Sequence, residues 1–250
     1  LLSVELCLAN ESNMSDEVVI VYDSPLGKIN LKQPDLSSPY QRSLHILGNI
    51  LPEKYGINIK LEPIMWNRGL ELIKVGFADA IIDVSFKPAR DKYMVYPRLG
   101  GQLDPSRSLR NSNYLLFHHV DSPIKWDGKT LTNIGEGIGS IQSYAIVDDL
   151  KNKGIKVVEM IQPIGLFKDV YIGKLAAALP EGSGRDAMDS LPYLKQNVIE
   201  HPIPLSTKVY YLTFSKQFYE KNAALAEKIW ASYKDYKLSP EFEKLKPNND

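Results

Sequence analysis

The stretch Trp66-Asn67-Arg68-Gly69-Leu70-Glu71-Leu72-Ile73-Lys74-Val75-Gly76-Phe77-Ala78-Asp79-Ala80-Ile81-Ile82-Asp83-Val84-Ser85-Phe86-Lys87-Pro88-Ala89-Arg90 decides the fold. It reads as a short amphipathic helix, a glycine stop, a buried strand, and a loop that ends in a lone arginine. Leu70 and Ile73 are one turn apart and share a helix face. Gly76 is placed to end that helix in the left-handed conformation. Ala80 to Val84 is a mostly apolar run, as expected of a strand covered on both faces. Asp83, Ser85 and Arg90 stand at its carboxyl end, where open α/β sheets bind ligands.

The same alternation continues outward. Glu17 to Tyr22 is β-branched and predicts a strand, and a turn-rich stretch follows from Asp23 to Ser38. Tyr40, Leu44, Leu47 and Leu51 keep helical spacing up to Gly56, and Ile57 to Leu61 predicts the next strand. Gly100 to Asn113 breaks the pattern and reads as a linker. Tyr114 to His119 then predicts a strand entering a second unit. There Glu136 to Ile141 is a strand, and Ser143 is the expected N-cap of a helix that stops at Gly154. Ile155 to Met160 is a strand, Leu166 to Ile172 a helix, and Leu175 to Leu179 another strand. Pro202 and Pro204 mark a second linker. Val209 to Phe214 is a strand, Ser215 caps a long helix with Phe218, Leu225, Ile229 and Tyr233 inward, and Ser239-Pro240 opens a last short one. Two βαβ units joined by two linkers is an α/β reading.

A chain of 250 residues can bury a good core in one or two domains. Lys+Arg and Asp+Glu are both 30, so no bulk charge attracts nucleic acid or an anionic membrane. No apolar run is long enough to span a bilayer. The single cysteine, Cys7, excludes an intrachain disulfide and a Cys-rich zinc site. Leu1 to Asn10 has two readings: a disordered or partly helical tail, or the worn end of an export signal with Cys7 and Ala9 before cleavage. A lipoprotein cysteine is disfavoured because Leu6 fills the position that needs a small residue. No cofactor is expected. Gly135-x-Gly137-x-Gly139 is not a dinucleotide fingerprint. His118 and His119 are adjacent in a strand, point to opposite faces, and cannot chelate a metal together. No catalytic triad can be assembled.

The quoted stretch resembles the family 3 extracellular solute-binding proteins, whose type II periplasmic-binding fold serves amino-acid ABC transporters. Members often carry a tryptophan, an arginine and a leucine before a helix, then "G-x-x-D-a-i-i", then "S-[FY]-T-P-E-R". The last element here is Ser85-Phe86-Lys87-Pro88-Ala89-Arg90, with Lys87 for the threonine and Ala89 for the glutamate. The spacing from Asp79 to Arg90 fits a divergent branch, and weaker similarity runs through nearly the whole chain. The resemblance implies a two-lobed α/β fold in which each lobe is a βαβ sheet, with two hinge crossings and C-terminal helices that return to the first lobe. The expected division is residues 15–106 plus 209–250 for lobe one, 107–208 for lobe two, and 1–14 as signal remnant or tail.

The resemblance also implies site residues. Arg90 occupies the position that grips a ligand carboxylate, a task suited to a planar, permanently charged fork. Its bland alternative is a solvated arginine, or one closing an ion pair with Asp91 or Asp83. Asp83 stands where relatives often have glycine; it could bind an ammonium or hydroxyl, neutralise Arg90, or cap its own turn. Ser85 can donate its N–H and hydroxyl. Ile141-Gln142-Ser143-Tyr144 resembles the family's "v-q-x-G-t" turn, where a helix start attracts anions; Ser143 and Tyr144 replace the usual Gly-Thr. Glu181 matches the acid that takes the ligand's amine, against a surface glutamate in a Pro/Gly loop. Ala176 replaces an earlier acid. Trp66 and Arg68 are further cleft candidates, Trp66 equally a core residue. Tyr22, Asp23, Ser24 and Tyr40 are cleft candidates by position alone.

The expected function is binding of a small polar or zwitterionic solute in an interlobe cleft for an ABC importer, in the periplasm. The expected partners are that ligand and an ABC permease in the membrane, with no nucleic acid, and the chain is expected to act as a monomer. Two rivals stand beside this reading. One is the ligand-sensing domain of a signalling receptor. The other is a cleft enzyme such as a dehydratase or lytic transglycosylase, which would need Glu181 or Asp83 with a raised pKa.

Overall fold

A computed structural model of the chain describes residues 17–24 and 29–246. The expected signal remnant or tail, with Cys7 and Ala9, lies outside the described residues. The first strand, β1 (Val18–Asp23), leads to α1 (Pro39–His45), a π turn over Ile46–Ile50, and α2 (Leu51–Tyr55). One continuous helix was the expectation for this segment. Pro52 has no N–H with which to close an α-helical bond to Gly48, and the helix widens in the turn before it. Gly56 ends it with φ of 62°.

Strand β2 (Ile59–Ile64), α3 (Trp66–Val75) and β3 (Ala80–Ser85) follow. β1 lies between β2 and β3 and is parallel to both. The quoted stretch folds as its pattern predicts. Leu70 and Ile73 are buried, and Gly76 closes α3 with φ of 77°. Its N–H bonds to the Ile73 carbonyl and that of Phe77 to Leu72. Helix and sheet approach closely at Gly69, where an added Cβ would sit 3.1 Å from Ile81 and 3.2 Å from Ile64. Each buried aliphatic side chain here contributes about 1.5–3 kcal/mol. Asp79, the acid of the motif, is structural: its Oδ2 accepts the Val19 N–H at 2.8 Å.

The short strands β4 (Met94–Val95), β5 (Arg98–Leu99) and β6 (Gln102–Leu103) precede the long β7 (Arg110–His119). A small hairpin of β8 (Lys125–Trp126) and β9 (Leu131–Thr132) comes next. The second lobe is then built from β10 (Ile138–Ile141), α4 (Ala145–Asn152), β11 (Val157–Met160), α5 (Pro163–Tyr171), β12 (Ala176–Pro180), α6 (Glu181–Ser190) and β13 (Val198–Glu200). The chain crosses back along β14 (Ser206–Ser215) into α7 (Lys216–Lys237) and α8 (Pro240–Lys244).

The central path of the sheet runs β11-β10-β12-β7-β14-β3-β1-β2, so the two lobes share one continuous hydrogen-bonded system. The joint is an antiparallel ribbon in which Arg110–Tyr114 pairs with Ser206–Tyr210. Beyond the ribbon, β14 pairs with β3 and β7 with β12. Both expected linkers therefore end in strand. Arg110-Asn111-Ser112-Asn113 carries loop-forming side chains, and the partner strand overrides that preference by satisfying its backbone groups.

Helix α7 packs on β14 and α2. Its Trp230 Nε1 donates to the Leu212 carbonyl at 2.9 Å, and the Tyr233 hydroxyl meets Ser43 of α1 at 3.0 Å. Ser215 caps α7 through the Phe218 N–H, and Ser239 caps α8 through Phe242. Of the side chains expected inward, Phe218, Ile229 and Tyr233 are buried and Leu225 is half-buried. Among the described residues no helix is long and apolar enough to cross a membrane.

Candidate ligand-binding cleft

A cavity of about 460 Å³ opens between the lobes. Its floor is the hinge ribbon, with Arg110, Asn111, Ser112, Tyr114 and Tyr210. The carboxyl ends of β1 and β3 and the starts of α1 and α3 form one wall; the starts of α4, α5 and α6 form the other.

Asp23, Ser24, Tyr40, Trp66, Asp83, Ser85, Arg90, Tyr144 and Glu181 all line this cavity. Tyr22 does not. Successive strand side chains point to opposite faces, so with Asp23 facing the cleft Tyr22 packs in the hydrophobic cluster beneath. Arg68 is exposed on α3 and lies outside the lining, as does Gln142. Gln142 instead accepts from Asn67 Nδ2 at 3.3 Å across the rim. Ser143 is not the helix cap: Tyr144 is the N-cap, without a side-chain bond. In this turn Gln142 and Tyr144 donate their N–H groups to the Met160 and Ile141 carbonyls. Ser143 has φ of 67° and Asp83 of 66°. Both positions are ones where the resembled family prefers glycine, and a positive φ is the physical reason.

Arg90 is 3% exposed. Nη1 donates to the Ser85 carbonyl and Nη2 to the Ser143 carbonyl, both at 2.7 Å. Its guanidinium carbon stands 5.2 Å from the centre of the Trp66 ring. Arg90 is therefore a strut between the lobes, and Asp83 is not its partner. Asp83 pairs with Arg110, whose Nε and Nη2 grip both carboxylate oxygens. Burial is the largest single influence on Arg110 and would lower its pKa, but the Asp83 charge, the hydrogen bonds to Asp83 and the neighbouring Tyr210 and Tyr40 together hold it above its ordinary value. The face of Arg110 lies 5.0 Å from the Tyr210 ring and 5.8 Å from Tyr40.

Asp23 caps α3 from the neighbouring strand: Oδ1 accepts the Trp66 N–H at 2.9 Å, while Oδ2 meets the Tyr144 hydroxyl at 3.4 Å. Burial pushes its carboxyl up to about 6 against these bonds. Tyr144 stacks edge-on against Trp66 at 6.0 Å and faces Tyr114 at 6.5 Å. Burial first, and the Asp23 charge second, push the Tyr144 hydroxyl well above its usual range. Lys87, in place of the expected threonine, reaches across the rim to Asp148 of α4. Arg90, Lys87, Asn67 and Tyr144 thus hold the lobes together in a closed arrangement.

Glu181 is not in a loop but begins α6. It pairs with Arg185 one turn on and accepts from Asn113 Nδ2 at 3.4 Å. The sequence reading missed Arg110, Tyr114, Tyr210, Arg185 and Asp186, all of which line the cavity. Arg110 had one signal. An acid inside the apolar run of β3 calls for a cation, but only the sheet order supplies its identity. Among the described residues no group of three His, Cys, Asp or Glu is placed to hold a metal.

Solved structures share this architecture. A histidine kinase sensor domain with similarity to periplasmic binding proteins superposes with a TM-score of 0.69 at 12% identity, covering 92% of this chain and 94% of that one. ArtJ, the arginine-, lysine-, histidine-binding protein of Geobacillus stearothermophilus, gives a TM-score of 0.67 at 13% identity over 92% and 93%. ArgBP from T. maritima gives 0.65 at 15% identity over the same shares. The chain has the two-lobed periplasmic-binding fold. In that fold the Asp83–Arg110 pair lies where the two sheets meet, and the cleft lies at the carboxyl ends of both sets of parallel strands. No family model matches the sequence. No curated protein matches it by sequence.

Proposed function

We propose that the chain binds a small polar solute in the interlobe cleft and presents it, in the periplasm, to an ABC importer of the membrane. The observation that carries this reading is the cavity of about 460 Å³, lined by charged and aromatic residues from both lobes. Its size suits a small molecule. Residues 15–106 with 209–250 would move as one lobe and 107–208 as the other, about the ribbon of β7 and β14. Closure would bury the solute where charge-assisted hydrogen bonds are strong. The similar solved structures include binding proteins for amino acids, which supports the same use here.

Binding rather than catalysis fits the two acids a chemical reading would use. Asp83 and Glu181 are each held by an arginine. A second reading draws on the sensor-domain likeness: the same closure reports the solute to a signalling partner. The deciding experiment is mass spectrometry of the small molecules released when the purified protein is denatured. We expect one polar compound at near-stoichiometric yield, recovered unchanged. Added back at ~100 times its dissociation constant, it should stabilise the fold by about 2.7 kcal/mol. A protein that retains nothing and shows no thermal shift with any polar solute refutes solute binding.

A further inference from the structure

Among the described residues, Arg90, Arg110 and Arg185 line the cleft, and they differ in what each has left to offer. A guanidinium carries five N–H donors in two forks. One fork is formed by Nε and a terminal nitrogen, the other by the two terminal nitrogens, and either one matches a carboxylate. On Arg185 both forks are engaged: Nε and Nη2 donate to Glu200 at 2.8 and 2.7 Å, and Nη1 pairs with Glu181. On Arg90 the terminal nitrogens donate to two separate carbonyls, those of Ser85 and Ser143, and the residue is 3% exposed. The arginine at the motif position therefore has no fork left and almost no surface from which to offer one.

Arg110 is different. Asp83 takes only the side fork, through Nε at 2.8 Å and Nη2. One Nη2 proton and both Nη1 protons remain, so the end fork is complete. Nη1 has no acceptor among the described residues, yet it is not one of the polar atoms sealed from solvent there. The side chains of Arg110 and Asp83 are 14% and 16% exposed, and both line the cavity, so the end fork opens onto it. The rings of Tyr210 and Tyr40, 5.0 and 5.8 Å from the guanidinium carbon, hold its plane, and Asp83 fixes its rotation. The open fork is thus set in place before any ligand arrives. Ser112 lies two residues on, projects from the same face of β7 and lines the same cavity. Its hydroxyl also has no partner among the described residues and is also not sealed from solvent.

On the reading that the cleft binds a solute, we infer that the solute carries a carboxylate and that Arg110, in the hinge ribbon, is the residue that receives it, with Ser112 donating a further hydrogen bond. The end fork of Arg110 takes both carboxylate oxygens. Asp83 orients that fork and competes for its charge. One guanidinium then serves two carboxylates, so the gain in charge over a neutral amide is modest and the paired bonds carry the preference. Arg90 acts on the same ligand only by holding the lobes closed. The task that the motif position has in the resembled family is thereby moved from the loop after β3 to the floor of the cleft.

Calorimetry with matched probes tests this: L-glutamine against L-glutaminamide, L-arginine against L-argininamide, and L-lactate against L-lactamide. Each pair differs only in the carboxylate. In at least one pair the acid should bind about fivefold or more tightly than the amide. Arg110→Lys keeps a positive charge beside Asp83 but has no fork; it should weaken that acid about tenfold and bring the acid-to-amide ratio to about two or less. Asp83→Asn ends the competition, and asparagine accepts the positive φ at that position. This variant should raise the ratio about threefold or more. Arg90→Met should weaken acid and amide by the same factor and leave their ratio as it was, because it acts on closure alone. Circular dichroism confirms that each variant is folded, and Asp83→Asn and Arg90→Met carry the test if Arg110→Lys is not. Amides that bind as tightly as their acids overturn the inference while leaving solute binding intact. So does a preference that survives Arg110→Lys, falls in Asp83→Asn or is lost in Arg90→Met. Failure of all the acids to bind overturns it too, and the compound released on denaturation then shows whether solute binding stands.

Discussion

Replacing Arg90 by methionine should open the cleft. The guanidinium makes one bond within its own lobe, to Ser85, and one to the other lobe, to Ser143, each at 2.7 Å. A hydrogen bond from a charged group is worth about 1.5–3 kcal/mol net. The Ser85 carbonyl keeps a second donor, the Tyr96 hydroxyl at 3.2 Å, so its loss falls at the low end of that range. Methionine retains an apolar body to lie against Trp66. The interlobe bond is thus the main difference. Losing about 1.5–3 kcal/mol from the closed state alone shifts the open-to-closed ratio by about tenfold to a hundredfold. Spin labels on Glu71→Cys of α3 and Asn152→Cys of α4, both exposed, report the separation once Cys7 is changed to serine. The expected result is a longer and broader distance distribution in Arg90→Met without ligand, with a thermal stability about 3–4.5 kcal/mol lower. An unchanged distance distribution would refute the strut.

Three further outcomes follow from single residues. Burial raises the folded-state pKa of Asp23 to about 6 from 3.8, so the folded state holds a proton that the unfolded chain releases. That stabilisation is complete below about pH 4 and is lost as pH rises through about 6, a total of about 3 kcal/mol; Asp23→Asn should flatten this part of a stability-against-pH curve measured by urea unfolding. Ser143→Gly relieves a positive φ in a side-chain-bearing residue and should stabilise the protein by about 1 kcal/mol in the same assay; a loss of stability would show that the Ser143 side chain makes a contact that matters. Gly184→Ala places a Cβ 2.2 Å from the ring of Phe117, itself packed on Phe167, and should cost about 1–3 kcal/mol by overpacking, seen as a lower melting temperature.

The elements from Trp66 to Ser85 were legible because their signals are local. A helical face at Leu70 and Ile73, a left-handed stop at Gly76 and an apolar strand need only neighbouring residues to be read. The caps at Ser215 and Ser239 were legible for the same reason. Ser143 misled because the same residue types serve as caps and as left-handed turn residues, and only the backbone angle tells them apart. Arg110 to Asn113 misled because a hinge strand borrows its regularity from its partner.

The site divides along the same line. That Asp23, Asp83, Ser85 and Arg90 collect at strand ends was determined by the sequence, since chain order places the first three in the carboxyl-terminal part of β1 and β3 and Arg90 just beyond β3. What each one touches was decided by the tertiary structure. Asp83 belongs to Arg110 because β14 lies between β3 and β7 and sets the distance across the ribbon. Arg90 belongs to Ser143 because the lobes close on each other. Charge pairing depends on separation in space, and spacing along the chain holds no record of which strand will lie beside which.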